Sequence, residues 1–122
     1  FLTKEVNAVA DCIFCKIATK QVPAELVYED DLVVVFRDLA PQAPVHLLIV
    51  PKKHIPTLQH LSTEDNEIIT NIFSIIPKLA EEFQVERSGY RLVANCGKEG
   101  GQSVFHIHFH FLAGRQMNWP PG

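Results

Sequence analysis

Phe105-His106-Ile107-His108-Phe109-His110-Phe111 is the stretch that decides how this chain is read. Strict alternation of apolar and imidazole side chains predicts a β-strand, because successive strand residues point to opposite faces. His106, His108 and His110 then line one face, and Phe105, Ile107, Phe109 and Phe111 the other. The apolar face suits burial against a helix. The opposite face carries a row of imidazoles, the side chain fitted to nucleophilic, acid–base or metal-ligand work near neutral pH. Half of the 6 histidines of the chain stand in this row.

Buried imidazoles need partners, so three on one face point to a site more than to incidental packing. The loop before them reads Asn95-Cys96-Gly97-Lys98-Glu99-Gly100-Gly101-Gln102-Ser103. Glycines permit backbone conformations in which consecutive N–H groups converge on an anion, and Asn95 and Ser103 add polar side chains at its ends. The loop is expected to cradle a phosphate; a plain hairpin connection is the alternative. A metal site on His-x-His is sound chemistry, as in zinc enzymes with three histidine ligands. Metal hydrolases usually add carboxylates, whereas this motif is flanked by an anion-binding type of loop.

Working outward, residues 12–20 place Ile13, Phe14 and Ile17 at helical spacing and predict a short helix. Leu26–Glu29 and Leu32–Arg37 flank Asp30-Asp31 as a hairpin. Pro41 and Pro44 mark a loop before a strand at His46–Val50, which Pro51 ends. Ser62 with Asp65 three residues on forms a capping box. It opens an amphipathic helix over 62–84, with the apolar stripe Ile68, Ile69, Ile72, Phe73, Ile76, Leu79, Ala80, Phe83. Pro77 inside it removes a hydrogen bond and is expected to kink it. Tyr90–Asn95 and Val104–Leu112 read as the last strands. The expected fold is α+β, an antiparallel sheet of about five strands with one long and one short helix. Residues 1–11 are poorly patterned and expected to be mobile; 12–122 form a single domain that includes the C-terminal tail.

At 122 residues the chain can bury one good core. A net charge of −3 argues against a nucleic-acid or anionic-membrane surface. No apolar run approaches the ~18 residues that cross a bilayer. Three cysteines, two as Cys12-x-x-Cys15, do not make a disulfide framework, and a reduced, cytoplasmic setting is expected. Residue 1 is Phe and not Met, which leaves a removed targeting segment open.

The triad with Phe111-Leu112 after it resembles the histidine triad (HIT) family of nucleotide hydrolases and transferases. The likeness continues through Phe36-Arg37-Asp38, Pro41-Gln42-Ala43-Pro44-Val45-His46, Val50-Pro51-Lys52-Lys53-His54-Ile55, Gly100-Gly101-Gln102-Ser103-Val104 and the tail from Gly114-Arg115-Gln116-Met117 to Trp119-Pro120-Pro121-Gly122. These segments span residues 12–122 and are similar to the histidine triad nucleotide-binding (Hint) branch. The resemblance implies a homodimer joined into a larger continuous sheet. It implies that His108 attacks an α-phosphorus to form a nucleotidyl-imidazole that water hydrolyses, with no cofactor needed for the chemistry. His110, Ser103 and Asn95 would contact the phosphate oxygens, with Gly101 and Gln102 also at the nucleotide. Asp38 would accept from the ribose hydroxyls, where a turn role is the alternative. Ile13, Phe14, Ile17, Phe36 and Leu39 would hold the base, or else simply be core. His46 would orient the triad from behind, with His106 as a supporting relay, and Trp119 would reach the partner subunit's site.

One departure stands out. Hint members generally lack the cysteine pair. Cys12-x-x-Cys15 is similar to the pair in other branches, including galactose-1-phosphate uridylyltransferases, where it binds structural zinc with two histidines; the matching positions are His54 and His106. Two thiolates and two imidazoles would close a tetrahedral site; small buried apolar cysteines are the alternative. A zinc ligand at His106 would exclude its relay with His46. The expected function is hydrolysis of nucleoside 5′-phosphoramidates and acyl-adenylates, purine favoured, to a nucleoside monophosphate. The alternatives are a dinucleoside polyphosphate hydrolase, a nucleotidylyl transferase, or a nucleotide-binding regulatory module.

Overall fold

The structure, a computed structural model, describes residues 11–122. The expected mobility of the N-terminal segment concerns residues that, Asp11 apart, lie outside these. A short helix α1 (Ile13–Ala18) leads into strands β1 (Leu26–Glu29), β2 (Val33–Arg37) and β3 (Val45–Pro51). Two 3-10 turns, Leu58–His60 and Thr63–Asp65, precede the long helix α2 (Asn66–Glu82), and β4 (Tyr90–Ala94) and β5 (Phe109–Ala113) follow. The sheet runs β1-β2-β3-β5-β4 with every neighbour antiparallel. This is the expected α+β sheet.

The central strands are β-branched and apolar on both sides because both faces are covered. Val33, Val35, Leu47 and Ile49 face α2, while Val34, Phe36, Leu48 and Val50 face α1. Against the first face α2 buries Ile68, Ile72, Ile75, Ile76 and Leu79, each worth roughly 1.5–3 kcal/mol of transfer free energy. The helix is shorter than the expected 62–84. The Ser62–Asp65 capping box forms as expected but opens a 3-10 turn, and α2 starts only at Asn66. Pro77 stands on the exposed side of α2, inside an uninterrupted helix.

The largest correction concerns the opening stretch. The strand expected at Val104–Leu112 begins only at Phe109. The last rung on β3 pairs Ile49 with Phe109, and the same register would set Ile107 opposite Pro51. Proline has no N–H to donate, so the ladder stops there. The Ile107 N–H turns instead to the Ile55 carbonyl at 2.7 Å. Facing still alternates. Ile107 joins Phe109 and Phe111 in the core under α2, while His106 and His108 lie edge-on to Phe14 at 5.9 and 5.0 Å. Phe105 does not join the buried face; it is 52% exposed.

Candidate active site

A cavity of about 290 Å³ opens between α1, the end of β2 and the histidine segment. Ile13, Phe14, Ile17, Phe36 and Leu39 line it together with Asp38, Ser103, His108 and His110. Apolar walls at one end and imidazoles at the other fit a ligand with a flat apolar part and a charged part.

Hydrogen bonds fix which nitrogen of each ring carries a proton. Nδ1 of His108 lies 2.8 Å from the His106 carbonyl. A carbonyl only accepts, so Nδ1 is the donor and Nε2 of neutral His108 holds the lone pair. Nδ1 of His46 accepts the Gln42 main-chain N–H at 3.0 Å, which makes its Nε2 the donor. That Nε2 stands 2.9 Å from His110 Nδ1 and 3.4 Å from an Asp38 carboxylate oxygen. His110 therefore accepts at Nδ1 and keeps Nε2–H as a donor. The sheet register explains the contact: His110 sits opposite Leu48 and His46 opposite Leu112, so the two histidines are diagonal neighbours on one face.

Electrostatics favour the neutral form of His46 and His110. Burial, then the neighbouring His108 and His46, push His110 down to about 4, against the opposing pull of Asp38. Burial also lowers His46 below the ordinary imidazole range, again against Asp38. A neutral His46–His110 pair is the state that the proton assignment requires. His46 touches His110 and not His106, so no bond links His46 to His106 as a relay.

The glycine loop is not the open cradle that its sequence suggested. Gly101 N–H bonds the Lys98 carbonyl, Gln102 N–H the Gly97 carbonyl, and Gly97 N–H the Gln102 side chain. Three amides are thereby closed within the loop. Gly100 is needed for packing, since a Cβ there would stand 2.5 Å from the Cys96 carbonyl oxygen. Gly101 takes φ +82°, where L side chains are strained. What the loop delivers to the cavity is Ser103.

Behind the cavity, the ligand atoms of Cys12, Cys15, His54 and His106 lie within 4.8 Å of one another. Cys12 Sγ is 3.3 Å and Cys15 Sγ 3.4 Å from His106 Nδ1. Cys15 Sγ is 3.2 Å from His54 Nδ1, and the two Nδ1 atoms are 3.2 Å apart. Nε2 of His106 bonds the Pro51 carbonyl at 2.7 Å. It therefore donates there, and Nδ1 turns its lone pair into the cluster. Burial and then Cys12 push the Cys15 thiol up to about 12, while burial pushes His106 down to about 4. Neutral imidazoles and paired sulfurs are what a cation would meet.

Other expected residues lie elsewhere. Asn95 lines a separate hollow with Arg91, Arg115 and the C-terminal tail. Trp119 is 81% exposed. Gln102 is buried, its amide bonded within the protein. The cavity adds Val22, Pro23, Ala24, Glu25, Arg37, Leu48 and Val104, which sequence reasoning missed. Leu48 was findable, two residues from His46 on the same strand face. The Gln42 N–H and the Pro51 and His106 carbonyls are main-chain groups with no sequence signal.

Comparison with known proteins places this geometry. A HIT domain model matches residues 19–117. A HIT family hydrolase from Legionella pneumophila Philadelphia 1 superposes with a TM-score of 0.90 at 52% identity, covering 92% of this chain and 100% of that one. An uncharacterized HIT-like protein of Synechococcus elongatus is 45% identical over 112 residues, 92% of this chain and 97% of its own. A purine nucleoside phosphoramidase of Escherichia coli K12 is 43% identical over 107 residues, 88% of this chain and 90% of its own.

Proposed function

The chain belongs to the HIT domain family, and from that premise we propose that it is a hydrolase that cleaves nucleoside 5′-phosphoramidates and acyl-adenylates, purine favoured, through His108. The observation that carries the reading is the bond from His108 Nδ1 to the His106 carbonyl, which leaves Nε2 as an unprotonated nucleophile. Nε2 attacks the α-phosphorus and the P–N bond breaks; the departing nitrogen takes a proton from solvent and leaves as an amine, and the second step returns a proton to solvent. The imidazolium so formed keeps its Nδ1 proton on the carbonyl, which offsets its positive charge. Water then adds its hydroxyl to phosphorus and releases a proton, and His108 leaves neutral. Two easier displacements replace one hard one. His110 Nε2–H and the Ser103 hydroxyl donate to the phosphoryl oxygens as charge builds there. Asp38 takes the ribose hydroxyls and the apolar wall takes the base. Support for the P–N bond comes from the E. coli relative's activity.

Cys12, Cys15, His54 and His106 would hold a zinc ion, since two thiols and two imidazole Nδ1 atoms form a closed tetrahedral donor set. Zinc bound there would act as a structural cross-link of α1, the segment after β3 and the histidine stretch. Among the described residues β4 ends the sheet with one edge unpaired, and a second copy pairing there would form a homodimer that presents Trp119 to its partner. Free cysteines fit a cytoplasmic setting, and among the described residues no helix is long and apolar enough to cross a membrane.

A turnover panel tests the substrate reading. Adenosine and guanosine 5′-phosphoramidates should be hydrolysed faster than diadenosine polyphosphates, and an aminoacyl adenylate should be cleaved too. Preferential cleavage of the polyphosphates would overturn it.

A further inference from the structure

His108 is the proposed nucleophile, yet it lies on backbone that the sheet does not hold, because the ladder ends at Phe109. Something else must fix residues 103–108. Gln102 is 7% exposed, and every polar atom of its side chain is engaged. Its carbonyl oxygen accepts the Gly97 N–H at 2.9 Å. Its amide nitrogen donates to the Pro56 carbonyl at 2.8 Å and to the Val104 carbonyl at 3.0 Å. The partners also fix the orientation of the amide, since one is a donor and two are acceptors. Pro56 adjoins Ile55, whose carbonyl takes the Ile107 N–H at 2.7 Å. Two consecutive residues of one segment thus receive bonds from both ends of the stretch that carries the nucleophile.

We propose that Gln102 is the positioning residue of the reaction: its buried amide, tied to Gly97, Pro56 and Val104, replaces the missing strand ladder and sets the backbone that carries Ser103 and His108. The resemblance assigned Gln102 to the nucleotide, but its groups are already bonded inside the protein and it does not line the cavity. Among the described residues no other side chain bonds these three groups: Gly97 fixes the loop entrance, Val104 its exit, and Pro56 the wall behind. The inference rests on the hydrolase reading only for its consequence in turnover.

The test compares Gln102→Ala and Gln102→Glu with the wild type. Glutamate keeps an acceptor for Gly97 but sets an oxygen against two carbonyls. The expected loss in kcat on adenosine 5′-phosphoramidate is about 10- to 100-fold, as for a displaced reacting group. Binding of the product AMP should change less than ~3-fold, since the loss falls on the transition state. Imidazole 15N shifts should show His108 leaving its single tautomer in both variants while the thermal transition stays cooperative. Unchanged kcat and unchanged ring shifts would overturn the proposal. So would loss of AMP binding in proportion to kcat, which would make Gln102 a nucleotide contact, or failure of both variants to fold, which would make it a support of the whole domain. The ring shifts need no substrate. If the wild type turns over no phosphoramidate, the hydrolase reading fails while the shifts still decide the role of Gln102.

Discussion

His46 donates its Nε2 proton to Nδ1 of His110 across 2.9 Å, because its own Nδ1 already accepts the Gln42 N–H at 3.0 Å. The direction of this bond matters for the proposed chemistry, for it leaves His110 with a proton on Nε2, the nitrogen proposed to donate to a phosphoryl oxygen. Replacing His46 removes the donor that holds His110 in this form. His46→Ala is expected to lower kcat on a phosphoramidate by roughly 10- to 100-fold and to change AMP affinity far less. Steady-state kinetics beside equilibrium binding check it; equal losses in both would show that His46 serves binding alone.

The neutral state of His110 makes stability depend on pH. Its folded value lies near 4, below the ordinary imidazole value of 6.5. The unfolded chain therefore binds more protons between these values, and stability must rise with pH across that window. The contribution is fully present above about 6.5 and is lost as pH falls toward about 4. His110→Gln cannot titrate. The melting temperature of the wild type should fall more steeply than that of the variant as the buffer is taken from neutral to acidic. Parallel curves would mean that His110 is not held neutral by its surroundings.

The four-ligand cluster makes a prediction about composition. Purified protein should carry about one zinc per chain, and Cys12→Ser with Cys15→Ser should carry none. Less than ~0.2 zinc per chain after mild purification would refute the assignment. Where zinc is present, a strong chelator should lower the melting temperature, because a metal bound only by the folded state stabilises it.

The edge of β4, unpaired among the described residues, makes a prediction about assembly. Sedimentation should give a mass near twice 13.7 kDa. Trp119→Ala should leave that mass intact and alter KM more than the fold. A monomer at micromolar concentration would remove the basis for a role of Trp119 in a partner's site.

Much of the architecture was legible because the strands are short, β-branched and punctuated by proline, and because Ser62 and Asp65 announce the helix start. The grouping of Ile13, Phe14, Ile17, Phe36 and Asp38 with His108 and His110 came through resemblance, since no local pattern links positions so distant in sequence. Two readings erred for physical reasons. Alternation predicts too long a histidine strand because it records which face a side chain occupies, not whether the backbone finds a ladder partner, and Pro51 denies it one. The composition of the glycine loop suggests an anion cradle because it shows which amides are free to turn, not that Gln102 and two carbonyls engage three of them.

The proposed activity depends on attack by His108 Nε2 at phosphorus. Rapid quenching of wild-type protein with adenosine 5′-phosphoramidate, followed by intact-mass and peptide analysis, tests it most directly. One adenylyl group is expected on His108, formed and lost at rates that match turnover, and absent from His108→Ala along with hydrolysis. Full turnover by His108→Ala, or an adduct on another residue, would contradict it.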